Sequence, residues 1–261
     1  MRRGPKVSAV SLPSRSPADP CIVFDGLALA YRDHLALQGL SGAVQRGSLT
    51  AIVGPNGSGK TSLMKSIAGL LGPASGRCAV SPGLRVAYQP QLSGLDRAFP
   101  ARVIDVVSLG LWPRRGLLGR HRQEDRRAML AALDTVGMAG HAQRPIDTLS
   151  GGQLQRALFA RTLLQDADLI LLDEPFSAID ERTVRDLVGI IRRWHEEGRT
   201  VLVVVHDFDL VRRHFPETLL LAGCVVGWGD TRHVLTPENI RRARQGPAQA
   251  PGADAWREAA R

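Results

Sequence analysis

Residues 54–61 read Gly-Pro-Asn-Gly-Ser-Gly-Lys-Thr, and the residues on either side leave few folds open. Ser48 to Val53 is a short apolar run that suits a buried strand. Thr61 to Ala68 has helical spacing, with Leu63, Ile67 and Leu70 on one side. A strand must therefore turn sharply into a helix. Gly54, Gly57 and Gly59 let backbone N–H groups approach oxygens that a Cβ would block. The helix N-terminus adds unpaired N–H groups and the positive end of its dipole, so the turn is a cradle for phosphate. Pro55, Asn56, Ser58 and Ser62 complete the loop and first turn. Lys60 is placed for the β- and γ-phosphates, and the Thr61 hydroxyl for Mg²⁺. Only three of the 34 lysines and arginines are lysine, at 6, 60 and 65, which points to a need for a compact ammonium at position 60.

Two further apolar runs end in polar chemistry. Asp168 to Pro175 reads as a buried strand finishing in Asp173 and Glu174. The carboxyl ends of strands in a parallel sheet are where α/β proteins bind ligands. Asp173 fits the Mg²⁺-holding carboxylate, and Glu174, one residue on, is free to orient or deprotonate an attacking water. Arg199 to Val205 is another buried strand, with His206 at its end. Between the cradle and the acids, Leu149-Ser-Gly-Gly-Gln153 precedes an amphipathic helix reaching Leu164. Ser150 is a good N-cap. The same Gly-rich helix start, built from Gly151, Gly152 and Gln153, also offers a second anion site.

The three motifs in this order, closed by His206, resemble the ATPase subunit of ABC transporters over roughly residues 21–235. The resemblance implies that ATP lies between the cradle of one subunit and the Ser150-Gly-Gly turn of another, in a head-to-tail homodimer. It implies a γ-phosphate contact for His206, adenine stacking on Tyr31, and a Q-loop glutamine at Gln91 that touches Mg²⁺. Within Tyr88-Gln-Pro-Gln91, Gln89 is a nearby competitor, and the family spacing selects Gln91. Ser177-Ala-Ile-Asp180 resembles the D-loop, with Asp180 its acid and Ile in place of the usual Leu. The Arg144 to Leu149 segment looks like the importer pattern. Phe99-Pro-Ala-Arg-Val-Ile-Asp-Val-Val resembles the stretch found in zinc- and manganese-type importers, although Ala101 and Arg102 depart from the usual Val-Thr. The implied activity is ATP hydrolysis driving uptake of a divalent metal ion, zinc foremost. The implied partners are a separate membrane permease and, indirectly, an extracytoplasmic metal-binding protein, with the chain at the cytoplasmic face of the membrane. An importer for another solute, such as an iron–siderophore, and a soluble non-transport ABC ATPase remain alternatives.

Composition bounds these readings. A chain of 261 residues can bury a substantial core. No apolar run approaches the length of a membrane helix. Residues 1–20 are basic and rich in Ser and Pro without an apolar signal region, and read as a disordered extension. Residues 245–261 read as a loose tail. Cys21, Cys78 and Cys224 are scattered, which argues against a zinc cluster or disulfide framework. The net charge is +9, and six arginines fall between Arg114 and Arg127. A solvated face is expected here; attraction to an anionic membrane surface is the next option, and nucleic-acid binding comes last because no aromatics interleave with the run. The expected fold is α/β: a P-loop NTPase (RecA-like) core over 21–244, with an antiparallel β subdomain and an inserted helical subdomain at about 95–160. Strands are expected near 21–30, 48–53, 77–80, 85–89, 168–173, 200–205 and 217–222. Helices are expected near 102–111, 122–136, 151–165, 180–196 and 207–214.

Overall fold

The computed structural model describes residues 20–31, 34–92, 96–97, 99–116, 121–177 and 179–245. The expected N-terminal extension and C-terminal tail lie almost wholly outside them. The chain opens with strands β1 (Pro20–Tyr31), β2 (His34–Gln45) and β3 (Leu49–Val53), then helix α1 (Lys60–Ile67) and strands β4 (Ser75–Val80) and β5 (Val86–Gln89). A helical segment follows: α2 (Val103–Ser108), α3 (Trp112–Arg115), α4 (Gln123–Thr135) and α5 (Gly151–Gln165). The chain then alternates β6 (Leu169–Asp173), α6 (Glu181–Glu196), β7 (Thr200–Val204), α7 (Phe208–His214) and β8 (Glu217–Leu221). It closes with β9 (Val225–Asp230), α8 (Thr231–Val234) and α9 (Pro237–Gln245).

Nine strands form two sheets among the described residues. One is antiparallel, in the order β2-β1-β4; the other runs β5-β6-β7-β3-β8-β9 and is parallel except for β9. The central parallel strands β3, β6 and β7 are buried along their whole length, as expected where both faces of a sheet are covered. Leu49, Ala51 and Val53 of β3 join the core shared with the helical segment, while Ile52 faces the core under α1 and the antiparallel sheet. The same two-residue alternation divides β6 and β7. On the helical side, Phe159 of α5 stacks on Trp194 of α6 with ring centroids 5.7 Å apart and planes 8° from parallel.

Three expectations need correction. The α1 helix stops at Ile67, Gly69 turns with φ +73, and Leu70 is 65% exposed rather than on the apolar face. The helix expected at 102–111 is α2 followed by a tighter 3-10 turn at Leu109–Leu111. Strand β2 was not legible, because Gly39 and Gly42 interrupt its pattern and its pairing with β1 carries several register shifts. It nevertheless ties the two sheets together: the Gln38 N–H donates to the Gly223 carbonyl at 2.9 Å, and Gly42 leaves room for the Trp228 ring of β9. The arginine run is only partly a solvated face. Arg114 pairs with Asp166 at 2.8 Å, and Arg115 pairs with the buried Asp125 at 2.8 Å.

Trp194 is 1% exposed and supplies the largest aromatic surface at the α5–α6 contact. Trp194→Ala should therefore cost about 3–5 kcal/mol of unfolding free energy. Urea denaturation should show this as a lower midpoint with an unchanged slope.

Candidate functional site

The register of the parallel sheet assembles the site. Ile52 pairs with Val204, and Val204 pairs with Asp173, so β3, β7 and β6 end at one level. Gln89 of β5 pairs with Leu172, which brings a fourth strand end alongside. The chain leaves these four ends as the Gly54 turn, His206, Asp173-Glu174 and Gln91. A cavity of about 570 Å³ opens there, and Lys60, Thr61, Gln91, Glu174 and His206 all line it, together with Asn56 to Gly59 and Ser62.

The loop of 54–59 is closed tightly around its own backbone. Gly54 has φ +152, and a Cβ there would sit 2.1 Å from the Leu221 carbonyl. Gly59 caps α1 with φ +90, and a Cβ there would meet the Ala36 carbonyl at 2.6 Å. Ala36 belongs to β2, so the strand that sequence reasoning missed forms one wall of the loop. No side chain caps the first turn of α1, which leaves its N–H groups available to an anion. Lys60 Nζ donates to the carbonyls of Gly54 at 2.9 Å and Pro55 at 2.8 Å. Burial pushes its pKa down, while the charges of Glu174 and Asp173 pull it back up. The Ser58 hydroxyl is buried in the same loop without a hydrogen-bond partner.

Asp173 stands at the centre of the polar groups. The Thr61 hydroxyl donates to its Oδ1 at 3.3 Å, and the Tyr88 hydroxyl donates to Oδ2 at 3.3 Å. The Gln91 amide donates to the Thr61 oxygen at 3.2 Å. Burial pushes the Asp173 carboxyl up; the Glu174 charge adds to this and the Thr61 hydrogen bond opposes it. Burial and the Asp173 charge push the Tyr88 phenol up. A hydroxyl, a carboxylate and an amide in contact form a hard oxygen donor set. That set suits a small divalent cation shared with phosphate oxygens. Gln91 therefore sits at the site, whereas Gln89 is fully buried and accepts from the Thr162 hydroxyl at 3.3 Å. Tyr88 was quoted in the sequence motif but given no role. Its position at the end of β5, beside β6, was the signal.

Glu174 has φ +51, one of two non-glycine residues in the left-handed region among those described. Such a conformation costs about 1–3 kcal/mol and persists where the surroundings fix it. Here both carboxylate oxygens are held: Oε1 lies 2.8 Å from His206 Nε2, and Oε2 accepts from the Ser177 hydroxyl at 3.3 Å. Ser177 opens the stretch that resembles the D-loop. Its last, Asp180, caps α6 by accepting the Thr183 N–H at 2.9 Å and the Thr183 hydroxyl at 2.8 Å.

The Ser150 turn stands apart from this cavity. Ser150 caps α5 by accepting the Gln153 N–H at 3.2 Å, and its own N–H donates to Gln153 Oε1 at 3.1 Å. Gly152 lies against the Asp180 cap, where a Cβ would be 3.7 Å from Oδ2. None of Ser150, Gly151, Gly152 and Gln153 lines the cavity at the cradle. Tyr31 ends β1, and its side chain lies outside the described residues.

Residues 37–177 match the ABC transporter family, and that span runs from the β2 wall of the cradle to the D-loop serine. The chain belongs to the ABC transporter ATP-binding family. It is 39% identical over 231 residues to the manganese transport system ATP-binding protein MntB of Bacillus subtilis (strain 168), covering 86% of this chain and 92% of that protein. It is 40% identical over 228 residues to the zinc transport system ATP-binding protein TroB of Treponema pallidum (strain Nichols), covering 85% of this chain and 86% of that protein. An ABC transporter solved in an inward-facing conformation superposes with a TM-score of 0.79 at 27% identity, covering 87% of this chain and 90% of that one. This ABC ATPase therefore has the P-loop NTPase fold and the ATP-binding, ATP-hydrolysing character of its family.

The glycine geometry predicts a graded response in this ABC ATPase. Gly54→Ala combines a positive φ with a backbone clash, whereas Gly57, at φ +79, has open space within 4 Å of where a Cβ would stand. Gly57→Ala should cost about 1–2 kcal/mol from conformation alone. Gly54→Ala should cost clearly more, and paired urea titrations of the two variants will show the order.

Proposed function

We propose that this chain is the ATP-hydrolysing subunit of an importer for a divalent transition metal, working through a separate membrane permease. The observation that carries the ATPase part is the convergence of Lys60, Thr61, Asp173, Glu174 and His206 at one sheet edge. The similarity to both MntB and TroB supports a metal cargo, and it does not separate manganese from zinc. Among the described residues, no three His, Cys, Asp or Glu side chains group to hold a metal. Cargo selectivity is accordingly assigned to the permease and to an extracytoplasmic binding protein, where imidazole and carboxylate ligands can be arranged for the ion.

In this reading the free N–H groups of α1 and Lys60 receive the β- and γ-phosphates, with Gly54, Pro55, Asn56, Gly57, Ser58, Gly59 and Ser62 shaping the loop. Thr61, Asp173 and Gln91 hold Mg²⁺, which when bound neutralises phosphate charge. Glu174 orients the attacking water and takes its proton, and His206 and Ser177 keep its carboxylate aimed. His206 pairs with Glu174 in the structure, so its reach to the γ-phosphate would be shared with that contact. Tyr31 is assigned to adenine stacking and Asp180 to the D-loop. Phosphoryl transfer needs positioning and charge neutralisation more than covalent help, and these residues supply both.

The separation of the Ser150 turn from the cavity supports a head-to-tail homodimer, in which Ser150, Gly151, Gly152 and Gln153 complete the partner's ATP site. Exposed Phe99, just before the helical segment, and exposed Leu109 and Trp112 at its start support docking of the permease there. No helix among the described residues is long and apolar enough to cross a membrane, so attachment at the cytoplasmic face is assigned to the permease.

Glu174→Gln should keep ATP affinity and lower turnover by about 10²–10⁴-fold, the usual share of a general base. Lys60→Ala should instead weaken ATP binding. Near-normal turnover in Glu174→Gln would remove that residue from the reaction. For the cargo, a deletion strain should take up less radiolabelled manganese or zinc when that metal is scarce, and excess metal should restore growth. Unchanged manganese and zinc uptake together with a lost siderophore uptake would overturn the metal assignment and leave the ATPase intact.

A further inference from the structure

Two hydroxyls meet the Asp173 carboxylate, and they come from different places. The Thr61 hydroxyl donates to Oδ1 at 3.3 Å from the first turn of α1, lines the cavity and is assigned to the cation. The Tyr88 hydroxyl donates to Oδ2 at 3.3 Å from β5 and is not among the groups lining the cavity. Strand register puts it there. Tyr88 pairs with Leu171 across the parallel β5–β6 ladder, and Asp173 is the next side chain after Leu171 on that face of β6. The donor must therefore reach diagonally along the sheet, which the length of a phenol allows. Tyr88 packs against the core that contains Leu171, and its carbonyl accepts from Arg161 Nη2 of α5 at 3.4 Å. None of these anchors is a residue of the 54–61 loop, so the position of the phenol is set independently of the phosphate cradle. Asp173 is 1% exposed, so water competes poorly for Oδ2.

We propose that Tyr88 is a positioning residue that fixes the orientation of the Asp173 carboxylate and thereby sets the affinity of the site for its divalent cation. The inference rests on the ATPase reading above and adds a residue which that reading does not use. The last torsion of an aspartate is broad, so packing alone leaves the plane of its carboxylate loosely set. A donor held at Oδ2 selects one orientation before any cation arrives. The hydrogen-bond partners of metal-ligating groups orient them in this way, and losing one costs about 10–100-fold in metal affinity. Removing the Tyr88 hydroxyl leaves the cradle, Lys60 and the Thr61 side chain in place, and only the carboxylate is released.

The test compares full-length wild type, Tyr88→Phe and Tyr88→Met, each with a non-hydrolysable ATP analogue and with Mn²⁺ as the paramagnetic probe of the Mg²⁺ position. Both variants keep apolar bulk against the core and lack the hydroxyl, and Tyr88→Met decides the matter if Tyr88→Phe does not fold. Electron paramagnetic resonance should show the Kd for nucleotide-dependent Mn²⁺ raised by about 10–100-fold. Affinity for the analogue in EDTA should stay within about twofold, since uniform binding by the cradle is untouched. In ATPase assays the Mg²⁺ concentration for half-maximal rate should rise by a similar factor, and saturating Mg²⁺ should bring kcat back to within about threefold of wild type. A purely structural role for Tyr88 would lower kcat without that rescue, and such a result overturns the proposal. A Mn²⁺ Kd within about twofold of wild type, or a rise matched by an equal loss of affinity in EDTA, also overturns it. If wild type shows no nucleotide-dependent Mn²⁺ binding, the ATPase reading fails and the inference falls with it. Normal binding in wild type beside an unchanged Kd in the variant sinks the inference alone.

Discussion

The site depends on three parallel strands ending at the same level. Ile52, Val204 and Asp173 are register partners across β3, β7 and β6, so their successors emerge side by side. A shift of one residue in this pairing would reverse which side chains face which core, because strand periodicity is two. The two apolar cores therefore fix the register, and the register fixes the site. Ile170 and Leu172 face one core while Leu169 and Leu171 face the other, and this alternation holds Asp173 at the open edge.

At that edge the charges constrain one another. Lys60, Asp173 and Glu174 are brought together, and burial pushes the Lys60 ammonium down while the charges of Glu174 and Asp173 pull it up; the Glu174 charge also raises Asp173, which burial already pushes up. The loop answers part of this cost with its own carbonyls, which hold the Lys60 ammonium, and with the Thr61, Tyr88 and Gln91 groups around Asp173. Glu174 is kept in the left-handed backbone region with both carboxylate oxygens occupied. A carboxylate held at both oxygens is restrained in place, which is what the role proposed for Glu174 needs. The two adjacent acids meet different partners: Asp173 the Thr61 and Tyr88 hydroxyls, Glu174 His206 and Ser177.

Within the helical segment, 101–104 pairs with 142–146 by backbone hydrogen bonds, and α5 stacks through Phe159 on Trp194 of α6. The Ser150 turn packs through Gly152 against the Asp180 cap of α6. The uncapped α1 start lines the cavity, whereas none of the residues of the side-chain-capped α5 start does.

The sequence by itself determined the local pieces. The strand–glycine turn–helix at 48–68, the apolar strands ending at Asp173 and before His206, and the Ser150 N-cap all follow from spacing and side-chain type over a few residues. Such signals are legible because strand and helix periodicities and cap chemistry are local properties. Tertiary structure decided what local pattern could not encode. Strand β2 is held by pairing with β1 across Gly39 and Gly42, and its Ala36 carbonyl walls the cradle. Gln91 rather than Gln89 meets Thr61 because Gln89 is drawn under α5 to Thr162. Tyr88 reaches Asp173, Leu70 turns out to solvent, and Arg115 leaves its run of like charges for Asp125. Most of these are contacts between residues distant in the chain, whose free energy depends on which surfaces the packed sheets bring together.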